Sequence, residues 1–377
     1  MTHSLDRRAV MIGTAAVCVG VATAAAAPAL SQSIAPPQDL GFADDLAEKL
    51  DAGVRSGLLR GLHSVVVVRS GRLVLERYFE GEDEAWGRAL GRVSFGPDTL
   101  HDLRSVTKSV VSLLYGIALD RGLVPAPDAS LLAQFPEYPD LAADPRRAPI
   151  KVLHALTMTM GLEWNEQVPY TDPANSEILM EQAKDRYRFI LEQPVVAAPG
   201  TRWTYSGGCP ALLGRLITKA TGKTLAEFAR ETLFADLGIA TFEWAQGSDG
   251  VDSAASGLRL KPRDLARIGE LVLANGRAGA KQTVPRDWID ASFRPASPTE
   301  DGLDYGRMWF LGQDATPAIK EPQPWIAGFG NGGQRLWIMP SAEVTAVIMA
   351  GNYNRPGQWI APIRVWREIV LANLLKL

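Results

Sequence analysis

Ser105 and Lys108 stand three residues apart in the stretch HDLRSVTKSVVSLLYGIALDRG, residues 101–122. Val106, Val110, Leu113, Leu114 and Ile117 recur at helical spacing, and Gly122 suits the position just past a helix end. The spacing therefore predicts a helix with Ser105 in or beside its first turn and Lys108 one turn along the same face. The first turn leaves backbone N–H groups unpaired and carries partial positive charge, which favours an oxyanion forming beside Ser105. The same field, with burial, should depress the Lys108 pKa and let the amine take the serine proton. A plainer reading makes Ser105 a helix cap and Lys108 a solvated charge. An S-x-x-K match arises readily by chance, so companions must decide.

Two stretches offer them. In WTYSGGCPALLGRL, Tyr205 sits on a Gly-rich turn before a predicted helix, where its hydroxyl can reach a cleft and relay protons. In AGFGNGGQRLWIMP, Gly328, Gly330 and Gly333 copy the letters of a dinucleotide fingerprint. That fingerprint must follow a strand and open a helix, whereas these glycines lead into a strand. Glycines there let a ligand approach the backbone, and the N–H near Gln334 becomes a second oxyanion donor beside that of Ser105.

The elements needed to position these groups can be read around them. HSVVVVRSGRLVLERYFEG (63–81) is a hairpin pattern turning at Ser70-Gly71. Helical patterns dominate from about 100 to 290, among them LAEFARETLFADLGI and PRDLARIGELVLANG. Strand patterns return in YGRMWFLG, QRLWIMP and EVTAVIMAGNY, and 358–377 reads as an amphipathic helix carrying Trp359, Ile363, Trp366, Ile369, Val370 and Leu374. Strands at both ends pack best in one antiparallel sheet, with the helical middle as an inserted lobe and a cleft between them. The expected class is α+β.

Composition closes off other classes. A 377-residue chain that is 46% hydrophobic has enough apolar material for a large core, and its net charge of −3 leaves no basic footprint for nucleic acid. Only four histidines are present, without H-E-x-x-H or a Cys/His cluster at ligand spacing, so a zinc hydrolase is not expected. G-x-S-x-G is missing as well.

The N-terminus reads as a separate targeting segment. Arg7 and Arg8 precede a soft Ala/Val/Gly run and small residues near Ala27 and Ala29, the pattern of a twin-arginine-type export signal. Residues 1–36 are thus signal and Pro-rich linker, 37–377 the working domain, and the expected location is periplasmic with no stable membrane association after cleavage. The alternative is an uncleaved inner-membrane anchor, since Ala9 to Ala27 is uncharged. If the segment is cleaved, Cys18 leaves with it and Cys209 has no intrachain partner.

Taken together and in this order, the motifs resemble the serine β-lactamase/penicillin-binding superfamily, in its class C and esterase-like branch. S-x-x-K is Ser105-Val-Thr-Lys108, Y-x-N is Tyr205-Ser206-Gly207, and the K-T-G or H-x-G element is Asn331-Gly332-Gly333. VLHALTMTMGLEW and SGLRLKPRDLARIGELVLANG also look like family segments, and DLRSVTKSVVSLL with WTYSGG is most similar to 6-aminohexanoate-dimer hydrolase-like members. The resemblance implies a β-lactamase/transpeptidase-like fold and an acyl-enzyme mechanism. Ser105 would be nucleophile, Lys108 base and Tyr205 proton carrier; Gly207, Asn331, Gly332 and Gly333 would flank the substrate, and no cofactor would be needed. Gly207 stands where the family usually has Asn, and Asn331 where it has Lys or His. Both departures favour a small-ester or linear-amide hydrolase over a β-lactamase or D-alanyl-D-alanine carboxypeptidase. An alternative of another class is a non-catalytic binder of cell-wall fragments. Trp164, Trp203, Trp325 and Trp337 are candidate walls of an acyl pocket or else core residues. Tyr170, Asp172 and Asn175 form a candidate loop over the cleft, with Asp172 either meeting a substrate amine or serving a turn.

Overall fold

A computed structural model describes residues 33–247 and 249–377. The signal, the membrane-anchor alternative and Cys18 lie outside the described residues. Among those described, no helix is long and apolar enough to cross a membrane.

An N-terminal helix, α1 (Leu46–Arg55), precedes β1 (Leu62–Arg69), β2 (Arg72–Tyr78), β3 (Glu80–Ala85), β4 (Arg88–Ser94) and β5 (His101–Asp102). Helix α2 (Val106–Asp120) follows directly and opens a largely helical region. That region carries the short strands β6 (Glu243–Trp244), β7 (Leu258–Leu260), β8 (Arg277–Ala278) and β9 (Lys281–Gln282). The chain then returns through β10 (Ser297–Pro298), β11 (Asp304–Tyr305), β12 (Phe310–Asp314), β13 (Gln323–Gly330), β14 (Gln334–Met339) and β15 (Val344–Ala350).

The main sheet has the order β10-β11-β12-β13-β14-β15-β1-β2, with β1 antiparallel to β15 and every neighbouring pair antiparallel. The two chain ends are thus joined in one sheet. Ser70 and Gly71 both take positive φ (49° and 74°), the primed-turn geometry that suits the twist of a tight hairpin.

The strand period of two sorts side chains to opposite faces. Val65 and Val67 pack with Leu46, Leu50, Trp337, Trp366 and Val370, beneath α1 and the C-terminal helix. Val66 and Val68 pack with Val106, Val110, Leu114, Leu336 and Val347, against the helical lobe. Helix α2 is buried along nearly its whole length. Its place on the sheet depends on Gly328, where a Cβ would lie 3.0 Å from Val106 Cγ1 and 3.1 Å from Ser109 Oγ. Gly328 and Gly330 therefore lie inside a strand, β13, as well as ahead of one.

The C-terminal helix begins at Ile360 and passes through π and 3₁₀ turns to Asn373. Trp366, Val370 and Leu374 are buried, whereas Trp359 is 50% exposed, because it precedes the helix and faces the cleft instead.

Candidate active site

Ser105 is the residue immediately before α2, with helical φ and ψ of −68° and −5°. The residue ahead of it, Arg104, takes a φ of 48°, a left-handed turn that a non-glycine side chain resists. Its guanidinium is fixed in return. Nε lies 3.1 Å from Asp102 Oδ2, Nη2 lies 2.5 Å from Glu84 Oε1, and the group stacks 4.8 Å over the Tyr353 ring. This clamp turns the chain sharply from β5 into α2 and presents Ser105 at the cleft.

Lys108 Nζ donates to Ser105 Oγ at 2.9 Å and to the Ala255 carbonyl at 3.0 Å, and lies 5.0 Å from the Tyr205 ring centroid. The Tyr205 phenol acts on both Ser105 and Lys108. The hydroxyl, the amine and the phenol therefore converge at one point. Backbone pairing of Thr204 N with Met158 O at 2.9 Å holds the segment that brings Tyr205 in.

The protonation of Lys108 corrects the sequence expectation. Burial does act to lower its pKa, but the Tyr205 oxygen, Glu177 and Glu166 outweigh it, and the amine is held above its ordinary value. The resting residue is an ammonium. Glu177 Oε2 lies 4.0 Å from Nζ and has no hydrogen-bond partner of its own. Burial likewise holds the Tyr205 phenol above its usual range, despite the neighbouring lysine. Burial first, and Glu177 second, push Glu166 up to about 7.

Glu166 and Glu177 are the functional side chains that sequence reasoning missed; they flank the loop of Tyr170, Asp172 and Asn175 that it did single out. Glu166 Oε1 accepts from Trp164 Nε1 at 2.6 Å and from the Gly207 backbone N–H, and Oε2 accepts from Tyr170 Oη at 3.0 Å. Glu177 is carried by the short helix Ser176–Gln182, whose N-cap is the fully buried Asn175. Its Oε1 accepts from Ser256 Oγ at 3.0 Å.

Several expected pocket residues take other places. A Cβ on Gly207 would lie 2.6 Å from Glu177 Oε2 and 3.0 Å from Glu166 Oε1. The glycine is thus not a substrate contact, and the two carboxylates fill the space a side chain would need. Trp164 positions Glu166 from the core and lines neither cavity at Ser105. Asp172 is a turn residue whose Oδ1 accepts from Ala174 N at 2.8 Å, because the loop bends back there towards Asn175. Trp203 does line the cleft, whereas Trp325 and Trp337 are core beneath the sheet.

Gln334 opens the return strand β14 and is fully buried, and its side-chain amide donates to Asn331 O at 3.1 Å and Ala350 O at 2.6 Å. Gly332 and Gly333 (φ 89° and 102°) make the tight turn between β13 and β14 and pack under Tyr353 and Gln358, away from the cavities. The backbone beside Ser105 is that of Gly330 and Asn331, since a Cβ on Gly330 would lie 3.2 Å from Arg104 Cβ. Asn331 lines both cavities next to Ser105, but its side chain is tied to Asn354 at 2.9 Å.

Ser105 stands where two cavities meet. One, of about 550 Å³, is walled by Trp86, Tyr170, Glu177, Glu181, Gln246 and Ser256. The other, of about 280 Å³, is walled by Trp203, Tyr205, Phe310, Phe329, Arg335 and Trp359. Arg335 is a buried cation whose pKa burial lowers to about 10; its Nη1 donates to Gly330 O at 3.0 Å and to Gln334 O at 2.7 Å. The positive charge missing at Asn331 is therefore present nearby, from the next strand.

Comparison with known proteins agrees with this arrangement. The Beta-lactamase family model matches residues 43–362. The 6-aminohexanoate-dimer hydrolase of Paenarthrobacter ureafaciens is 26% identical over 68% of this chain and 67% of its own length. Monacolin J acid methylbutanoyltransferase of Aspergillus terreus is 29% identical over 40% of each chain. Among solved structures, a penicillin-binding protein homologue from Caulobacter crescentus superposes with a TM-score of 0.65, 16% identity, and coverage of 90% of this chain and 99% of that one, a likeness of fold.

Proposed function

From the premise that this chain belongs to the beta-lactamase family and is a serine hydrolase, we propose that it cleaves small linear amides or esters through an acyl-enzyme on Ser105. The observation that carries this reading is the convergence of Ser105, Lys108 and Tyr205 at the meeting point of two cavities. A carbonyl laid over Ser105 has room for its acyl part on one side and its leaving group on the other.

Chemistry at Ser105 requires an acceptor for its proton, and Lys108 rests as an ammonium. The unpartnered Glu177 Oε2, 4.0 Å away, is the group to which the ammonium can release a proton. The free amine then accepts the Ser105 proton as Oγ attacks the carbonyl carbon. Tyr205, which neighbours both residues, passes a proton to the departing amine or alkoxide and later draws one from the hydrolytic water. The backbone N–H groups of Ser105, at the head of α2, and of Asn331 hold the oxyanion. Arg335 offers a charge for an acidic substrate group, and Glu177 and Glu181 line the opposite cavity, which favours an amine.

The N-terminal Arg7-Arg8 segment supports export to the periplasm as part of this proposal.

The test is turnover by the purified chain of short-chain p-nitrophenyl esters and of a linear ω-amino-acid dimer, with Ser105→Ala as control. Serine-dependent hydrolysis of either supports the reading. Rapid nitrocefin turnover with neither of these would move it to a β-lactamase, and inertness to all three would favour a binding protein.

A further inference from the structure

Away from the cleft, three residues from three different strands meet in the interior. His63 comes from β1, Asp83 from β3 and His101 from β5, and all three are buried. His63 Nδ1 and His101 Nε2 face each other at 2.8 Å, and Asp83 Oδ1 lies 3.8 Å from each. Their sequence spacing matches no ligand motif, because the sheets rather than a local turn bring them together.

One hydrogen bond beside this triangle fixes the His101 tautomer. His101 Nδ1 faces the Asp102 carbonyl oxygen at 3.0 Å, a group that can only accept. The inward Nε2 of His101 is therefore a lone pair, facing His63 Nδ1 at hydrogen-bond distance with a carboxylate oxygen alongside. Without an ion, a proton on His63 Nδ1 fills that gap; a cation would displace it and take both nitrogen lone pairs.

The dimensions suit a metal ion. A triangle with sides of 2.8, 3.8 and 3.8 Å has a point about 2.0 Å from every corner, the usual length of a zinc–imidazole or zinc–carboxylate bond. The outward N–H bond of His101 to the Asp102 carbonyl is the kind of contact that orients a metal-ligating histidine. Asp83 Oδ1 is itself held by the Tyr353 hydroxyl at 3.0 Å. Phe95 stacks on His63 at 4.0 Å.

We propose that His63 Nδ1, His101 Nε2 and Asp83 Oδ1 form a structural site for a divalent transition-metal ion of the zinc class. The two-nitrogen, one-oxygen donor set suits zinc and cobalt over magnesium or calcium. Such an ion joins β1, the β3–β4 hairpin and β5 at one point, four residues ahead of the nucleophile, on the strand whose Asp102 pairs with Arg104 in the turn into Ser105. Because the ligands are buried, the ion enters during folding. It takes no part in the hydrolysis, so this inference is independent of the proposed activity.

The full chain is produced in minimal medium supplied with zinc or with cobalt and purified without chelator or nickel resin. Metal content is measured by mass spectrometry, and the cobalt form by its visible absorption. The expected result is a near-stoichiometric ion from either medium, with cobalt giving the d–d bands and imidazole charge transfer of a low-symmetry site. Content should fall at least about tenfold in His63→Gln and in Asp83→Asn, and stay unchanged in Ser105→Ala. If those variants do not fold, the wild-type chain decides. Unfolded in denaturant with chelator and refolded, it should melt at a higher temperature with added zinc than without. Wild-type protein free of metal from both media, with a melting temperature indifferent to zinc on refolding, overturns the site, as does full metal content in a folded His63→Gln variant.

Discussion

Glu177 Oε2 occupies the space that a side chain on Gly207 would need, 2.6 Å from where its Cβ would be, and from there lies 4.0 Å from Lys108 Nζ. A missing side chain on one loop thus admits a buried carboxylate from another, and that carboxylate faces the catalytic amine. Gly207→Ala should therefore displace Glu177. We expect a loss of about 1–3 kcal/mol in stability and at least a tenfold fall in kcat, read from denaturant melts and ester kinetics. An active, fully stable Gly207→Ala enzyme would contradict the arrangement.

Glu177→Gln keeps the shape but removes the proton acceptor. Its kcat should drop by about 10²-fold with KM changed little, since the interaction acts on the chemical step. A change confined to KM would assign Glu177 to substrate binding alone.

The pH dependence turns on Glu166, pushed up to about 7 by burial and by Glu177. The consequence is for stability. A carboxyl whose folded pKa is raised binds more protons folded than unfolded between about 4.5 and 7, so stability falls as pH rises through that window. Glu166→Gln should flatten this slope and gain about 1–3 kcal/mol at pH 8 relative to wild type.

Arg335 should matter only for substrates with an acidic group. Arg335→Gln is expected to raise KM roughly tenfold for a carboxylate-bearing amide while leaving a neutral p-nitrophenyl ester within about twofold. Equal losses on both substrates would mean that its bonds to Gly330 and Gln334 carry a structural role instead.

Export can be checked in cells. Changing both Arg7 and Arg8 to Lys should trap the chain in the cytoplasm, and fractionation reads the result.

The parts of the fold legible in the sequence are those that depend on local periodicity. The β1–β2 hairpin around Ser70-Gly71, the apolar face of α2 and the adjacency of Ser105 and Lys108 all follow from spacings within a few residues. The charge on Lys108 was not legible, because it depends on Glu166 and Glu177, which arrive from a loop and a short helix encoded well downstream. The local helix field and burial argue for a neutral amine, and the distant carboxylates reverse that balance. The place of Asn331 beside Ser105 has a similar origin. Glycines mark that a turn is present, but strand pairing decides which backbone groups reach the cleft. Asp172 shows the converse, since a loop acid in a Pro-rich stretch had an ordinary turn role available.

The central claim is that Ser105 is acylated during turnover. Incubation with a slowly released ester, followed by acid quench and intact-mass and peptide mass spectrometry, tests it most directly. The account predicts a mass increase equal to the acyl group, located on Ser105 and missing from Ser105→Ala. Rapid turnover with no adduct under any quench, or an adduct on another residue while Ser105→Ala stays active, would contradict it.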